Sequence, residues 1–236
     1  MHSTSIPPGL KYCFLLGFII SFLNTATGQE QDWALKKSED GILVYFRKSV
    51  DSKINELKIE TTVDASIVSV VALMRDVPAY PDWVMNCKMA EKIEACPENT
   101  NCYYSQVDFP WPLSDRDFFA RNQLKQDPQT MVVVSKLTAD PDFLPEQKGF
   151  VRIPKMEITW ILTPIAPDQV KIDYHLISDP GGKLPSWLIN LAIDKGPVTS
   201  IKRFKEMVQR KQYQEAVVPN IRNISETTRY YTEEEK

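Results

Sequence analysis

The chain has 236 residues, 43% of them hydrophobic and 25% charged, which is enough for one large domain or two small ones with a core of their own. Its net charge is only −3 at pH 7 and it has no long basic stripe, so nucleic acid is not expected as a partner. Eight glycines against 17 prolines argue against a glycine-rich phosphate-binding loop.

The first 28 residues have the features of a secretory signal. Lys11 precedes the apolar run CFLLGFIISFL, and Ala26 and Gly28 place small residues at −3 and −1 of a cut before Gln29. So short a run is poorly matched to about 30 Å of hydrocarbon, which makes an uncleaved anchor the less favoured alternative. We therefore predict a signal peptide over residues 1–28 and an exported mature protein, secreted or periplasmic.

Residues 32–60 predict a helix led by Trp33 and then two strands, because GILVYFRKSV and INELKIETTV are rich in β-formers. Beyond Asp64, a candidate helix cap, the apolar residues follow a helical period. Two prolines in the segment 77–83 then end this helix and predict a short turn or helix of its own. The apolar residues at helical spacing are Ile67, Val70, Val71 and Met74.

From residue 87 onward the composition is that of strands. The connectors are short, apart from ADPDFLPEQK at residues 139–148. Such a succession favours an antiparallel meander, which needs no crossover helices. The segments are CKMAEKIEA, CYYSQVDF, RDFFARNQLKQ, TMVVVSKLT, GFVRIPKMEITWILTPI and QVKIDYHLIS.

The last predicted element is a long amphipathic helix that starts near Pro185 and is kinked at Pro197. A strongly twisted sheet curls, and this helix alone is long enough to close its concave face, with room for a cavity between them. After residue 210 the chain becomes polar and predicts a solvated tail over residues 211–236. The apolar face of the helix carries Trp187, Leu191, Val198, Ile201, Phe204 and Val208.

Three cysteines remain after removal of the signal. Cys96 and Cys102 flank the polar turn PENTN, where a disulfide could staple a hairpin, the alternative being two free thiols. Cys87 is then left over. No metal site is expected, because His175 is the one histidine of the mature chain and no CxxC spacing occurs.

The stretch FPWPLSDRDFFARNQL, residues 109–124, carries the most conspicuous charges. Asp117 and Asn122 have the spacing of a protein-kinase catalytic loop, but a glycine-rich loop and an Asp-Phe-Gly motif are missing. His175 is the sole histidine base and lies in a strand without a G-x-S-x-G elbow. Catalysis is therefore not the favoured interpretation of this stretch.

Side chains alternate between the two faces of a strand, so the charges of this stretch are divided between them. One face must turn inward, where a charge is costly unless it is paired. Two hypotheses remain: a structural ion pair, with Asp108 or Asp173 as partner of an arginine, or a polar anchor for a ligand in an apolar cavity. One face carries Arg116, Phe118 and Ala120, and the other carries Asp117, Phe119 and Arg121.

Three blocks resemble the StAR-related lipid-transfer (START) domain family in order and spacing. The resemblance covers about residues 30–210, and DVPAYPDWVMNCKMAEKIE fits the family's short helical turn. The blocks are PWPLSDRDFFARNQL, LPEQKGFVRIPKMEITWILTPI, and DPGGKLPSWLINLAIDKGPV followed by IKRFKEMV.

The resemblance implies an α+β helix-grip fold over residues 29–210, a curved antiparallel β-sheet wrapped around a long C-terminal α-helix that encloses a hydrophobic cavity. It also implies a lid made by the helix and an Ω-loop at 139–148, with Phe143 and Leu144 in the loop, and a buried acid–arginine pair near Asp108 and Arg121. The candidate cavity residues are Asp108, Arg116, Arg121, Trp160, Trp187, Leu188 and Leu191.

We therefore expect a monomeric protein that binds one lipid or sterol without a cofactor and exchanges it in transient contact with a membrane surface. Trp187 is a candidate for that contact, with core packing as its alternative. Two other functions stay open: an enzyme on the same scaffold, in which Asp108 or His175 acts on a polyketide-like substrate, and a lipid-sensing module.

Overall fold

The computed structural model of the protein describes residues 33–48, 55–94, 96, 100–184 and 186–224, with the backbone alone described for 55 and 186–195. The predicted signal peptide over 1–28 lies outside this part of the chain. The described residues belong to one compact unit. Among them, no helix combines the length and the apolar character needed to cross a membrane.

The described strands form one sheet in which every neighbouring pair is antiparallel except β8, which lies parallel to β6. The order across the sheet is β1-β2-β3-β10-β9-β7-β6-β5-β4, so the last strand closes against the third. The strands are β1 Ala34–Glu39, β2 Ile42–Lys48, β3 Asn55–Val63, β4 Cys87–Ile93, β5 Asn101–Val107, β6 Asp115–Gln126, β7 Val133–Ala139, β8 Phe150–Arg152, β9 Lys155–Ala166 and β10 Gln169–Asp179.

Four helices accompany the sheet in the described residues. Ser66, not Asp64, caps α1, because its side chain accepts a hydrogen bond from the backbone N–H of Ser69. Pro197 lies inside α3, whose C-terminal half buries an apolar stripe of Val198, Ile201 and Phe204. The α+β helix-grip class is thus confirmed. The helices are α1 Ile67–Arg75, α2 Tyr80–Trp83, α3 Ser186–Met207 and α4 Lys211–Gln214, with a 3-10 turn at Val77–Ala79 before α2.

The predicted N-terminal helix is wrong, since residues 34–39 form an edge strand paired with β2. The two strands are joined by Asp40 and Gly41, which adopt φ values of 51° and 71°. A two-residue Asp-Gly turn with both residues at positive φ matches the twist of a tight hairpin. This local signal overrides the helical character of the residues around it.

The predicted start of a solvated tail at residue 211 is also wrong. Tyr213, Val218 and Ile221 are buried in the main core. The Tyr213 hydroxyl donates to Asp76 Oδ2 at 2.8 Å, just beyond the end of α1. Three well-spaced apolar side chains therefore fix a polar segment to the domain as far as Ile221.

Candidate ligand cavity

A cavity of about 310 Å³ lies between the inner face of the sheet and the helices α2 and α3. Alternation along the strands decides which side chains reach it. The inner face of β6 contributes Phe118 and Asn122, whereas β9 and β10 contribute Met156, Ile158, Trp160, Tyr174, Leu176 and Ser178.

Aromatic rings form a continuous part of the cavity wall. Trp83 of α2 contacts Trp160 of β9 with ring centroids 6.5 Å apart, and Trp160 contacts Tyr174 on the neighbouring strand at 4.8 Å. Tyr80 joins Trp83 to Tyr103 through centroid distances of 5.3 and 5.2 Å. All four contacts are edge-to-face, an arrangement that aromatic pairs prefer. The wall is therefore apolar and well packed.

The polar groups deep in this wall are uncharged. Ser135 Oγ donates to Asn122 Oδ1 at 2.7 Å, and both residues are buried. The indole Nε1 of Trp83 is buried and has no hydrogen-bond partner among the described residues. The hydroxyls of Tyr103 and Tyr174 make no hydrogen bond within the described part of the chain, and burial raises the pKa of both, so they remain protonated donors.

Charged side chains are nearly missing from the lining. Within the described residues, Asp108 is the one charged residue that lines the cavity, and no Arg, Lys or His does so. The Asp108 side chain is 61% exposed and lies 3.8 Å from Lys88 Nζ. The described residues also contain no group of three or more potential metal ligands.

Three lining residues that are exposed to solvent mark the mouth of the cavity: Asn86, Asp108 and Pro110. The backbone N–H of Asp108 donates to the carbonyl of Asn86 at 2.8 Å, which joins the two sides of this mouth. Next to Pro110, the side chain of Trp111 is 92% exposed. A large apolar ring thus projects into solvent beside the opening.

Glycine is required at residue 181, in the turn that follows β10 and places Pro180 in the cavity wall. Gly181 has a φ of +69°, and a Cβ there would lie 2.9 Å from the carbonyl oxygen of Arg152. The carbonyls of Pro180 and Gly181 both accept hydrogen bonds from Arg116 at 3.4 Å. The turn is therefore locked against β6 and β8.

Of the predicted cavity residues, the structure places Trp160 in the wall and Asp108 at the mouth. Arg116 is buried but does not line the cavity: its guanidinium also donates to the Ser114 carbonyl and packs over the Phe109 ring at 4.1 Å. Burial lowers the pKa of Arg116. The side chains of Trp187, Leu188 and Leu191 lie outside the described residues.

The expected pairing of Asp108 with Arg121 is wrong. Asp108 is exposed, and Arg121 points to the opposite face of β6, where it forms an ion pair with Asp140 at 2.7 Å. Asp173, the other proposed partner, pairs with Lys171 at 3.2 Å. The buried acid–arginine pair of this protein is formed by other residues and lies outside the cavity.

That pair is Asp117 with Arg152, on the outer face of the sheet. Arg152 Nε and Nη2 donate to the two carboxylate oxygens of Asp117 at 2.9 and 3.0 Å, and the Tyr104 hydroxyl donates to the same carboxylate at 3.0 Å. The hydrogen bonds to Asp117 raise the pKa of Arg152. Arg152 also donates to the carbonyls of Pro141, Leu144 and Pro145. The charges of β6 therefore act as a structural lock for the segment 139–152.

The predicted lid residues belong to the same outer face. Phe143 stacks on Phe119 with ring centroids 3.8 Å apart, and Phe119 is fully buried. Leu144 presents its carbonyl to Arg152. Neither Phe143 nor Leu144 lines the cavity. The expectation that they cover the ligand is therefore wrong. Both residues belong to a segment that is held against the outer face of the sheet.

The structure joins Cys96 and Cys102 by a disulfide, with their Cα atoms 5.9 Å apart. Cys87 is free and lines the cavity. Its Sγ lies 3.5 Å from Ser105 Oγ, and burial raises the pKa of this thiol. A protonated thiol is a weak nucleophile.

The two candidate catalytic residues do not meet. His175 lies on the outer face of β10, where its Nε2 is 3.1 Å from Glu56 Oε2 and its ring contacts Trp33. Asp108 is at the mouth, on the inner side of the sheet. A substrate in the cavity could therefore not contact both residues.

A sequence model of the START domain family matches residues 20–214 of this chain. An uncharacterized protein of Pseudomonas aeruginosa is 30% identical over 182 residues, which span 77% of this chain and 89% of that protein. The phosphatidylcholine transfer protein of Rattus norvegicus is 26% identical over 175 residues, or 72% of this chain and 81% of that protein.

Among solved structures, a STAR-related lipid transfer protein fragment from Xanthomonas axonopodis superposes with a TM-score of 0.69. It is 30% identical, and the match covers 75% of this chain and 99% of that fragment. Human STARD10 has a TM-score of 0.68 at 18% identity, with 76% of this chain and 74% of that chain covered, which supports the fold alone.

Proposed function

Because this chain belongs to the START domain family, we propose that it binds one lipid or sterol-like molecule in its cavity and transfers it between membranes. The observation that carries the proposal is the 310 Å³ cavity with an aromatic and aliphatic wall. The lipid transfer proteins to which the chain is similar give independent support. We further propose that it does so as a monomer and without a cofactor.

The energetics of such a wall favour an apolar ligand. Burial of apolar surface contributes about 0.8 kcal/mol per methylene group. A chain of sixteen carbons would thus gain on the order of 12 kcal/mol before the cost of association is subtracted. No covalent or metal chemistry is needed for this gain. The protein can therefore act as a carrier alone, and we propose that it is not an enzyme.

We propose that exchange takes place with the mouth turned towards a membrane surface. Trp111 supports this orientation, because it is 92% exposed and follows Pro110 at the mouth. Tryptophan side chains favour the interface between lipid and water. The contact would deliver the ligand directly from the bilayer to the opening, with no passage through water.

We also propose that the mature protein is exported. The signal over residues 1–28 supports this, and so does the Cys96–Cys102 disulfide, because disulfides persist mainly in oxidising compartments. Mass spectrometry of the secreted or periplasmic fraction is expected to find an N-terminus at Gln29. Recovery of the unprocessed chain from the cytosol would contradict export without affecting the lipid-binding proposal.

The transfer proposal is tested with the full chain and two vesicle populations, one of which carries a mixed lipid extract. We expect the protein to speed the movement of at least one apolar lipid to the acceptor vesicles. Trp111→Ala is expected to slow transfer about tenfold, whereas Val217→Ala, at a site that is 91% exposed but outside the cavity lining, leaves it unchanged. No transfer of any lipid would overturn the proposal.

A further inference from the structure

The proposed function leaves open which class of lipid the cavity accepts, and the charges around it bear on that question. A lipid with an ionised head group brings that charge into a low-dielectric wall, where it needs a partner of opposite sign. Within the described residues, no Arg, Lys or His lines the cavity. Asp108 does line it, but this carboxylate is 61% exposed at the mouth and lies 3.8 Å from Lys88, a cation that is already paired with Asp115 at 2.7 Å.

Arg116 contacts the lining residues Phe109 and Pro180, and its guanidinium is already engaged. Its guanidinium donates to the carbonyls of Ser114, Pro180 and Gly181 and covers the Phe109 ring. It is 2% exposed and does not line the cavity. Among the described residues, an anionic head group therefore finds no cation inside the wall.

The aromatic rings of the wall are packed against one another, which limits the room for a quaternary ammonium group. Such a cation binds over the face of a ring. Here, Trp160 contacts Trp83 and Tyr174 edge to face, with centroids 6.5 and 4.8 Å apart, and Phe204 packs against both tryptophans, so these neighbours cover part of the ring faces. A phosphocholine head group would also leave its phosphate without a cation.

What the wall does offer is a set of neutral hydrogen-bond donors. Within the described chain, Trp83 Nε1 is buried without a partner. The hydroxyls of Tyr103 and Tyr174, which line the cavity, donate no hydrogen bond to any described residue. All three residues are more than nine-tenths buried and line the same cavity. An oxygen atom of a ligand would satisfy donors that the fold leaves free.

Building on the proposed function, we propose that the cavity selects an uncharged lipid whose polar end is an alcohol or carbonyl oxygen, such as a sterol or a neutral single-chain lipid. The volume agrees with this class: a cavity of about 310 Å³ is at the lower end of pockets that enclose drug-sized molecules, which have roughly 300 to 1,000 Å³. A two-chain phospholipid is larger than such molecules.

The test uses pairs of probes that share a hydrocarbon part, one with an uncharged polar end and one, called the charged partner, whose head group carries ionised groups. The full chain is incubated with phosphatidylcholine vesicles that contain a trace of cholesterol or cholesterol sulfate, or of monopalmitoylglycerol or palmitoyl lysophosphatidylcholine. The probe that leaves with the protein is then counted, and phosphatidylcholine is counted with it. We expect each neutral probe to be carried off at least about tenfold more than its charged partner.

The outcomes separate this inference from the proposed function. Equal or preferred extraction of the charged probes, or of phosphatidylcholine, would overturn the neutral-ligand inference while lipid binding stands. Extraction of no lipid at all would overturn the proposed function and this inference with it.

Variants test the anchoring donors directly. The double variant Tyr103→Phe and Tyr174→Phe is expected to reduce cholesterol extraction about fivefold and to leave cholestane, which has no oxygen, unchanged. The matched control Tyr45→Phe removes a hydroxyl that bonds Glu60 away from the cavity and is expected to change neither. Unchanged cholesterol extraction by the double variant would overturn the role of the two hydroxyls.

A charge introduced into the wall provides a second, independent readout. Ser178 lines the cavity and is half-buried, so Ser178→Lys adds a cation there with little disturbance of the core. We expect the ratio of extracted cholesterol sulfate to extracted cholesterol to be about tenfold higher for this variant than for the wild type. A ratio that stays at the wild-type value would contradict the view that the missing cation sets the preference.

Discussion

The two faces of β6 use the same kinds of residues for opposite purposes. On the outer face, Asp117 is fully buried and its carboxylate is satisfied by Arg152 and Tyr104. On the inner face, Phe118 and Asn122 border a cavity whose donors are partly unsatisfied. The difference shows that the buried charges of this strand hold the fold together, whereas Phe118 and Asn122, uncharged residues of its inner face, line a site for a ligand.

The largest effect is expected from breaking the outer ion pair. Asp117→Asn leaves the buried Arg152 without a counter-charge, which costs about 3–5 kcal/mol of the free energy of unfolding. Chemical denaturation measures this loss. The matched control Asp140→Asn removes the half-exposed partner of Arg121 and is expected to cost less than about 1 kcal/mol. Equal costs for the two variants would contradict the assignment of a structural lock to Asp117.

Two adjacent phenylalanines sharpen the comparison between the faces. Phe119→Ala removes a fully buried ring that stacks on Phe143, at a cost of about 3–4 kcal/mol in unfolding free energy. Phe118→Ala enlarges a cavity that already exists, so its cost is expected to be smaller by about 1–2 kcal/mol.

Ligand extraction provides the second readout for this pair. Phe118→Ala is expected to change the amount of lipid that the protein extracts. Folded Phe119→Ala is expected to extract the same amount as the wild type. The reverse pattern, with binding changed by the outer residue alone, would show that the faces have been assigned incorrectly.

The smallest effect is expected for an exposed charge cluster at the edge of the sheet. Lys202 of α3 forms ion pairs with Glu39 and, at 2.8 Å, with Asp40. Hydrogen bonds from Lys202 and, second, from Lys37 lower the pKa of Glu39 to about 2. A lowered carboxyl pKa contributes stability above the unfolded value of 4.5, and this contribution is lost as the pH falls through about 2.

Lys202→Met is therefore expected to lower the melting temperature slightly and by the same amount at pH 5 and pH 8, with the difference from wild type shrinking below about pH 4.5. Melting curves at these pH values check it. An effect that changes between pH 5 and pH 8 would contradict the lowered pKa of Glu39.

Much of the fold could be predicted from the sequence because its signals are local. Alternating strand segments and the helical spacing of Val198, Ile201 and Phe204 are visible without a structure. The hairpin at Asp40 and Gly41 was also visible as an Asp-Gly turn, although the surrounding residues suggested a helix. Buried residues in a polar segment, such as Tyr213, gave a weaker signal.

The faces of β6 could not be assigned from the sequence. Each face carries a phenylalanine and an arginine, so the pattern of apolar residues is the same on both. The choice depends on Arg152, which is 35 residues from Asp117 in the chain and reaches it only when β8 lies beside β6. Long-range pairing of this kind leaves no local signal. The neutral donors Tyr103 and Tyr174 were missed for the same reason.

The central claim is that one apolar ligand occupies the cavity, and native mass spectrometry of the full chain purified from cells tests it most directly. We predict a single bound lipid per chain, which is lost in Leu176→Trp, a variant that fills the cavity from β10 and whose folding is checked by circular dichroism. A chain that carries no lipid and takes up none from a lipid panel would contradict the claim, as would a lipid that stays bound at full occupancy in folded Leu176→Trp.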